Sequence, residues 1–159
     1  MAPCPLCRSR RTALLFTTRE EASGRDFHHC RTCDLAFVPR QFHLTERAEK
    51  ERYLQHNNDP DDQDYRSFLA RLFDPLNNRL RPGATGLDYG AGPGPALAAM
   101  MREAGFDVRI YDPFFHRDGS VLETTYDFIT CSEVAEHFSD PRAEFEKFQA
   151  LLKPRGWLG

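Results

Sequence analysis

The sequence predicts an α/β protein: a mostly parallel sheet with helices packed on it, preceded by a small cysteine-bearing ribbon. Three observations predict it. Two C-x-x-C units stand near the N-terminus, an apolar stripe at helical spacing runs from Tyr65 to Leu80, and a strand–glycine loop–helix–strand run begins at Thr85. The chain has 159 residues, enough for one ordinary domain or two small ones. It is 40% hydrophobic and 28% charged, which fits a globular chain and excludes a disordered or collagenous one. A net charge of −3 excludes a polycation that coats nucleic acid. No apolar run reaches the roughly 18 residues of a membrane span, and Met1-Ala2-Pro3-Cys4 does not open a signal peptide. The expected location is cytoplasmic, with reduced thiols.

Charge and pattern change together along the chain. Residues 1–40 carry seven Arg and four acids, residues 41–80 six bases and eight acids, and residues 81–159 eight bases and twelve acids. The expected divisions follow these blocks: a ribbon over 1–40, a helical linker or cap over 41–80, and a sheet domain over 81–159.

In the first block, Cys4-Pro5-Leu6-Cys7 and Cys30-Arg31-Thr32-Cys33 are separated by 22 residues. Each pair can sit on a tight turn that aims both sulfurs at one point. Two such turns supply the four thiolates of a tetrahedral Zn²⁺ site. Ala13-Leu14-Leu15-Phe16 and the turn-like Ser23-Gly24 predict a β-hairpin between the knuckles. A piece of this size buries too little surface to fold alone, so a metal staple is physically reasonable. The segment resembles zinc ribbons. With Cys4, Cys7, Cys30 and Cys33 all as ligands no coordination position stays open, so the zinc would be structural. The Arg excess is largely offset by the negative charge of a thiolate-bound zinc, so nucleic-acid contact is open but not indicated by net charge. His28 and His29 are read as surface or packing residues.

In the second block, Thr45 to His56 reads as a helix with Leu44, Ala48 and Tyr53 as inward positions. Asn57 to Asp64 reads as a loop that caps the next helix. Its aspartates resemble a calcium loop but lack the central Gly and the Glu at position 12. Tyr65, Phe68, Leu69, Leu72, Phe73, Leu76 and Leu80 form one helical stripe, which Pro75 should bend or break. This helix is expected to lie on the following sheet.

In the third block, Thr85-Gly86-Leu87-Asp88-Tyr89 reads as a strand, Gly90-Ala91-Gly92-Pro93-Gly94-Pro95 as a glycine loop, and Ala96 to Ala104 as a helix ended by Gly105. Asp107 to Tyr111 is a second strand with Asp112 at its tip. Such a βαβ unit lets a ligand approach the loop backbone, favours a negative group at the helix N-terminus, and offers a carboxylate to a ribose. A dinucleotide would need Gly or Ala where Pro95 stands. An acid two residues before the first glycine suits an ammonium beside a carboxylate, as in S-adenosylmethionine (SAM).

LDYGAGPG and IYDPFF resemble the first two motifs of class I SAM-dependent methyltransferases. YDFITCSEVAEHF, followed by LLKPRGWL, resembles their fourth- and fifth-strand region. With the cysteine pairs in front, the chain resembles methyltransferases that carry an N-terminal zinc ribbon. The resemblance implies a Rossmann-like sheet, with Asp88, Gly90, Gly92 and Gly94 around the methionine part of SAM, Asp112 on its ribose and Glu133 touching the cofactor. In some relatives, including certain quinone-precursor O-methyltransferases and small-RNA 3′-end methyltransferases, a matching E-x-x-E-H binds a divalent metal. Glu133, Glu136 and His137 stand in that pattern here. The alternatives are His137 as a general base, or Glu136 and His137 as capping and packing residues. Cys131 is read as a core thiol.

Two departures matter. Only 13 residues separate Asp112 from Tyr126, where the family has a third strand and helix, so Val121-Leu122-Glu123 is at most a remnant of them. The chain also reaches Gly159 inside the expected fifth strand. The sheet is therefore expected to be incomplete at the C-terminus, to be completed by a further segment or a partner chain. The expected activity is methyl transfer from SAM to an undetermined acceptor: small molecule, RNA or protein. A non-catalytic zinc-ribbon module binding nucleic acid or protein, and an NAD-dependent enzyme, are the alternatives.

Overall fold

A computed structural model describes residues 2–18, 24–54 and 59–159. Ser23 of the expected turn, His56 at the expected helix end, and Asn57 and Asn58 of the expected loop lie outside the described residues.

Three strands form the ribbon, β1 (Thr12–Thr17), β2 (Asp26–Cys30) and β3 (Ala36–Phe37). They pair antiparallel in the order β1-β2-β3. The expected hairpin is β1–β2. Its apolar side chains cover little, since Leu14, Leu15 and Phe16 stay exposed, and Phe16 stacks on Phe27 at 4.6 Å. Cys4 and Cys30 have no exposed surface, so the sulfur cluster is the buried centre of this unit.

Helix α1 (Glu46–Tyr53) starts where Thr45 Oγ1 accepts the Ala48 N–H. Leu44 is exposed rather than inward, because it precedes that cap and none of the described elements covers it. Helix α2 (Gln63–Asn77) is capped by Asp62, whose carboxylate accepts the N–H groups of Asp64 and Tyr65. Pro75 does not end it. The helix runs two residues further, since proline forfeits one N–H bond so close to the terminus. Leu69 and Leu76 bury its inner edge, while Phe68, at the flank of the stripe, stays partly exposed under Arg71.

The second sheet contains β4 (Thr85–Tyr89), β5 (Asp107–Tyr111), β6 (Tyr126–Thr130) and β7 (Leu152–Leu158), all parallel, in the order β5-β4-β6-β7. Helices α3 (Ala96–Glu103) and α4 (Pro141–Leu151) are the crossovers after β4 and β6. Leu69 and Leu76 of α2 share one core with Leu97 and Met101 of α3, Val108 and Phe128. Leu87, Tyr89, Ile129, Phe148 and Leu151 form the core on the other face. Gly86 makes the first core possible, since a Cβ there would lie 2.1 Å from the Phe128 ring.

Between β5 and β6 the chain forms a 3₁₀ turn over Gly119–Glu123 and no strand, as the short spacing implied. β7 carries a bulge between Leu152 and Trp157. Tyr126 pairs with Leu152 and Phe128 with Trp157, and Arg155 takes φ 66° to absorb the extra residues. Among the described residues no helix is long and apolar enough to cross a membrane. The ribbon meets the sheet unit where both Arg8 Nη2 contacts, at 3.0 and 3.2 Å, fall on the carboxylate of Asp140, the N-cap of α4.

Candidate functional site

The strand order reverses direction at β4, which is followed by β5 on one side and flanked by β6 on the other. In open α/β sheets that arrangement leaves a crevice at the carboxyl ends of the strands. The glycine loop, Asp112 and Glu133 all stand there, because each directly follows β4, β5 or β6.

Gly90 has φ 79°, and a Cβ on it would lie 2.4 Å from a Val134 methyl. The loop after β4 and the loop after β6 are thus pressed together at a residue that cannot carry a side chain. Gly90 and Ala91 donate their N–H groups to the Tyr111 carbonyl at 2.7 and 3.2 Å, which fixes the glycine loop to β5. Gly92 N–H donates to Asp112 Oδ2 at 3.0 Å, and Phe114 and Phe115 N–H donate to Oδ1 at 2.8 and 3.0 Å.

Asp112 is buried, and its carboxyl oxygens accept these three backbone N–H groups. A carboxylate offers about four lone-pair sites, so one remains for a ligand hydroxyl.

Asp88 sits beneath the loop. Its Oδ1 accepts the Thr130 hydroxyl at 2.7 Å, and its carboxylate accepts the Ala98 N–H in the first turn of α3. Burial pushes its pKa up to about 6, against those hydrogen bonds. Glu133 takes the left-handed backbone conformation, φ 55°, which costs a residue other than glycine on the order of 1 kcal/mol. Local strain of this kind concentrates at functional sites.

Helix α1 closes one side of the crevice. The Tyr53 ring lies 6.1 Å from Phe114 and meets His137 edge-on at 5.5 Å. Burial pushes the Tyr53 phenol up, and the carboxylates of Glu49, Asp112 and Glu136 add to it. Burial also raises the Glu49 carboxyl against the opposing pull of His137 and His43. Tyr65, near Asp88 and Glu133, is raised in the same way. Tyr53 and Tyr65 were legible only as inward positions on helices, since their neighbours come from distant segments. Cys131 is pushed up to about 12, chiefly by burial, which fits a core thiol and not a nucleophile.

Glu133, Glu136 and His137 are not brought to one point. Among the described residues, the group of three or more donors whose ligand atoms lie within 4.8 Å of one another is Cys4, Cys7, Cys30 and Cys33. The physical reason is local. Glu133 takes a left-handed backbone conformation, while Glu136 and His137 are adjacent on a single 3₁₀ turn.

The cysteine set does fit zinc. Zn–S bonds of about 2.3 Å place tetrahedral sulfurs about 3.8 Å apart. Cys4 and Cys33 Sγ lie 3.6 Å apart, and Cys7 and Cys30 Sγ 3.5 Å apart. Thr32 N–H donates to Cys30 Sγ, which favours the thiolate a metal needs. His28 packs on Phe37 and His29 faces Asp34, so neither enters the set.

The parallel sheet with its glycine loop and acidic strand tip defines a SAM-type methyltransferase fold, and comparison with known proteins agrees. The family described as "Methyltransferase domain" matches over residues 53–158, and the chain belongs to it. It is similar to ubiquinone biosynthesis O-methyltransferases. The protein of Cronobacter sakazakii is 33% identical over 78 residues, 48% of this chain and 32% of that protein. Those of Erwinia tasmaniensis and Vibrio campbellii are 33% identical over 78 and 72 residues, covering 32% and 31% of their lengths. The matched stretch spans about a third of the length of these relatives.

Proposed function

We propose that the chain binds SAM in the crevice at the carboxyl ends of β4, β5 and β6, and that methyl transfer goes to an oxygen of a small molecule. The observation that carries the reading is the Gly92–Asp112 hydrogen bond. It joins the glycine loop to a buried carboxylate with one acceptor site to spare, as a ribose-bearing ligand requires. The oxygen acceptor is suggested by the relatives' printed name, O-methyltransferase.

SAM, when bound, supplies a sulfonium methyl carbon that an oxygen can attack in line. The backbone of Gly90, Gly92 and Gly94 would hold its methionine part. Asp112 accepts a ribose hydroxyl. Asp88 holds the loop from below, and Glu133 lines the far side. His137, held edge-on by Tyr53, would accept the proton of the acceptor hydroxyl. The protein's larger contribution is to align the reactants under α1 and exclude water. Cys4, Cys7, Cys30 and Cys33 would hold a zinc in a closed, structural site.

Calorimetric titration with SAM, and with NAD as control, tests the cofactor. One saturable SAM site and no NAD binding is expected, and NAD binding without SAM binding would sink the reading. Labelled-methyl transfer to hydroxylated aromatic small molecules, against RNA and protein pools, tests the acceptor. Label found only in RNA or protein would overturn that part.

A further inference from the structure

A second cleft, of about 410 Å³, opens at the opposite end of the sheet, where β4, β6 and β7 begin. It is lined by Arg79, Arg81, Lys153, Arg155, Trp157 and Asp127, among others. β4 separates it from the glycine loop by five residues, about 16 Å of strand. Nothing in the methyl-transfer reading uses it.

Its charge is not balanced. Asp127 is already engaged. Its Oδ2 accepts the Thr85 N–H and hydroxyl at 2.9 and 2.8 Å and pairs with Lys153 at 2.9 Å. Among the described residues, none of Arg79, Arg81 and Arg155 pairs with a carboxylate. All three are exposed. The bulge in β7 that sets φ of Arg155 at 66° brings Lys153, Arg155 and Trp157 to one rim.

Arg79 lies over the Trp157 ring at 5.4 Å and also donates to the Pro75 carbonyl at 2.6 Å, so this guanidinium is held in place before any ligand arrives. Trp157 is nevertheless 44% exposed. Guanidinium groups match phosphate oxygens, and an exposed indole is a stacking surface for a base. The volume is within the range of small-ligand pockets.

We propose that this cleft binds a nucleoside phosphate, with the phosphates on Arg79, Arg81 and Arg155 and the base against Trp157. It is a second ligand site, remote from the cofactor crevice.

Trp157 is the chain's one tryptophan, so intrinsic fluorescence reads the cleft directly. The probe is uridine 5′-diphosphate, chosen because it lacks the adenine that could enter the SAM crevice. Saturable quenching is expected, and saturating SAM or the Asp112→Ala change should leave it unaltered. An Arg79→Ser/Arg81→Ser variant, altered only at exposed side chains, should bind about a hundredfold more weakly, at roughly tenfold for each guanidinium–phosphate hydrogen bond removed. No saturable change at millimolar nucleotide would overturn the proposal. So would unchanged affinity in the double variant, or competition by SAM. Inorganic pyrophosphate binding as tightly as the nucleotide would overturn the base-stacking half.

Discussion

The N–H of Gly92 and the carboxylate of Asp112 are 3.0 Å apart, and this bond ties the first strand–helix turn to the tip of the neighbouring strand. Without its side chain, Asp112 would leave the Gly92, Phe114 and Phe115 N–H groups without their acceptor, each worth about 1–3 kcal/mol when buried. Asp112→Ala should therefore have two effects. SAM affinity should fall at least tenfold by calorimetry, and the melting temperature should drop several degrees with far-UV dichroism retained. Unchanged SAM affinity in the folded variant would remove Asp112 from the ribose.

Gly90 supports a sharper test, because two independent causes forbid a side chain there. Gly90→Ala forces a Cβ to within 2.4 Å of Val134 and holds alanine at φ 79°. The expected loss is about 2–3 kcal/mol in denaturant unfolding. Adding Val134→Ala should recover the steric part and leave about 1 kcal/mol from the backbone. Additive losses in the double variant would show that the two loops are not in contact.

For the ribbon, Cys4→Ser should remove bound zinc and speed hydrogen exchange across β1–β3, since the sulfur cluster is the buried centre there. SAM affinity should change less than about fivefold. The connection through Arg8 and Asp140 is an exposed pair, worth under about 1 kcal/mol. Retention of a full zinc equivalent would defeat the four-cysteine site, and a large loss of SAM affinity would show the ribbon to be part of the crevice.

Which of these features the sequence announces depends on how local their causes are. The C-x-x-C pairs and the glycine loop are legible because a few consecutive residues dictate their shape. The absent third strand is legible by length alone, since the 13 residues after Asp112 hold only a bridge and a 3₁₀ turn. Tyr53 is different. Helical spacing turns it inward, but its neighbours, Phe114 and His137, lie far along the chain, and their meeting is tertiary. Periodicity misplaced Leu44 and overstated Phe68 for the same reason: it gives a direction on an element, not what stands opposite. E-x-x-E-H is a pattern of spacing, and the three donors are not among the described residues whose ligand atoms cluster within 4.8 Å.

Asp88 yields a prediction about pH. Its pKa is raised by burial from an ordinary 3.8 to about 6 in the folded chain. The folded state therefore holds its proton more tightly than the unfolded one. The stability contributed by that protonated form is complete below about pH 4 and is lost as pH rises through about 6. Asp88→Asn keeps a carbonyl for the Thr130 hydroxyl and never ionises. At pH 7–8 the variant should be as stable as the parent or more so, by at most about 3 kcal/mol. The parent's decline between pH 4 and 6 should flatten correspondingly, measured as urea midpoints against pH. If Asp88 instead contacts the ammonium of SAM, the same variant will lose SAM affinity while gaining stability. If it only supports the loop, affinity will hold. A variant less stable than the parent at pH 8 would show that the ionised carboxylate, not the neutral acid, is what this site is built to hold.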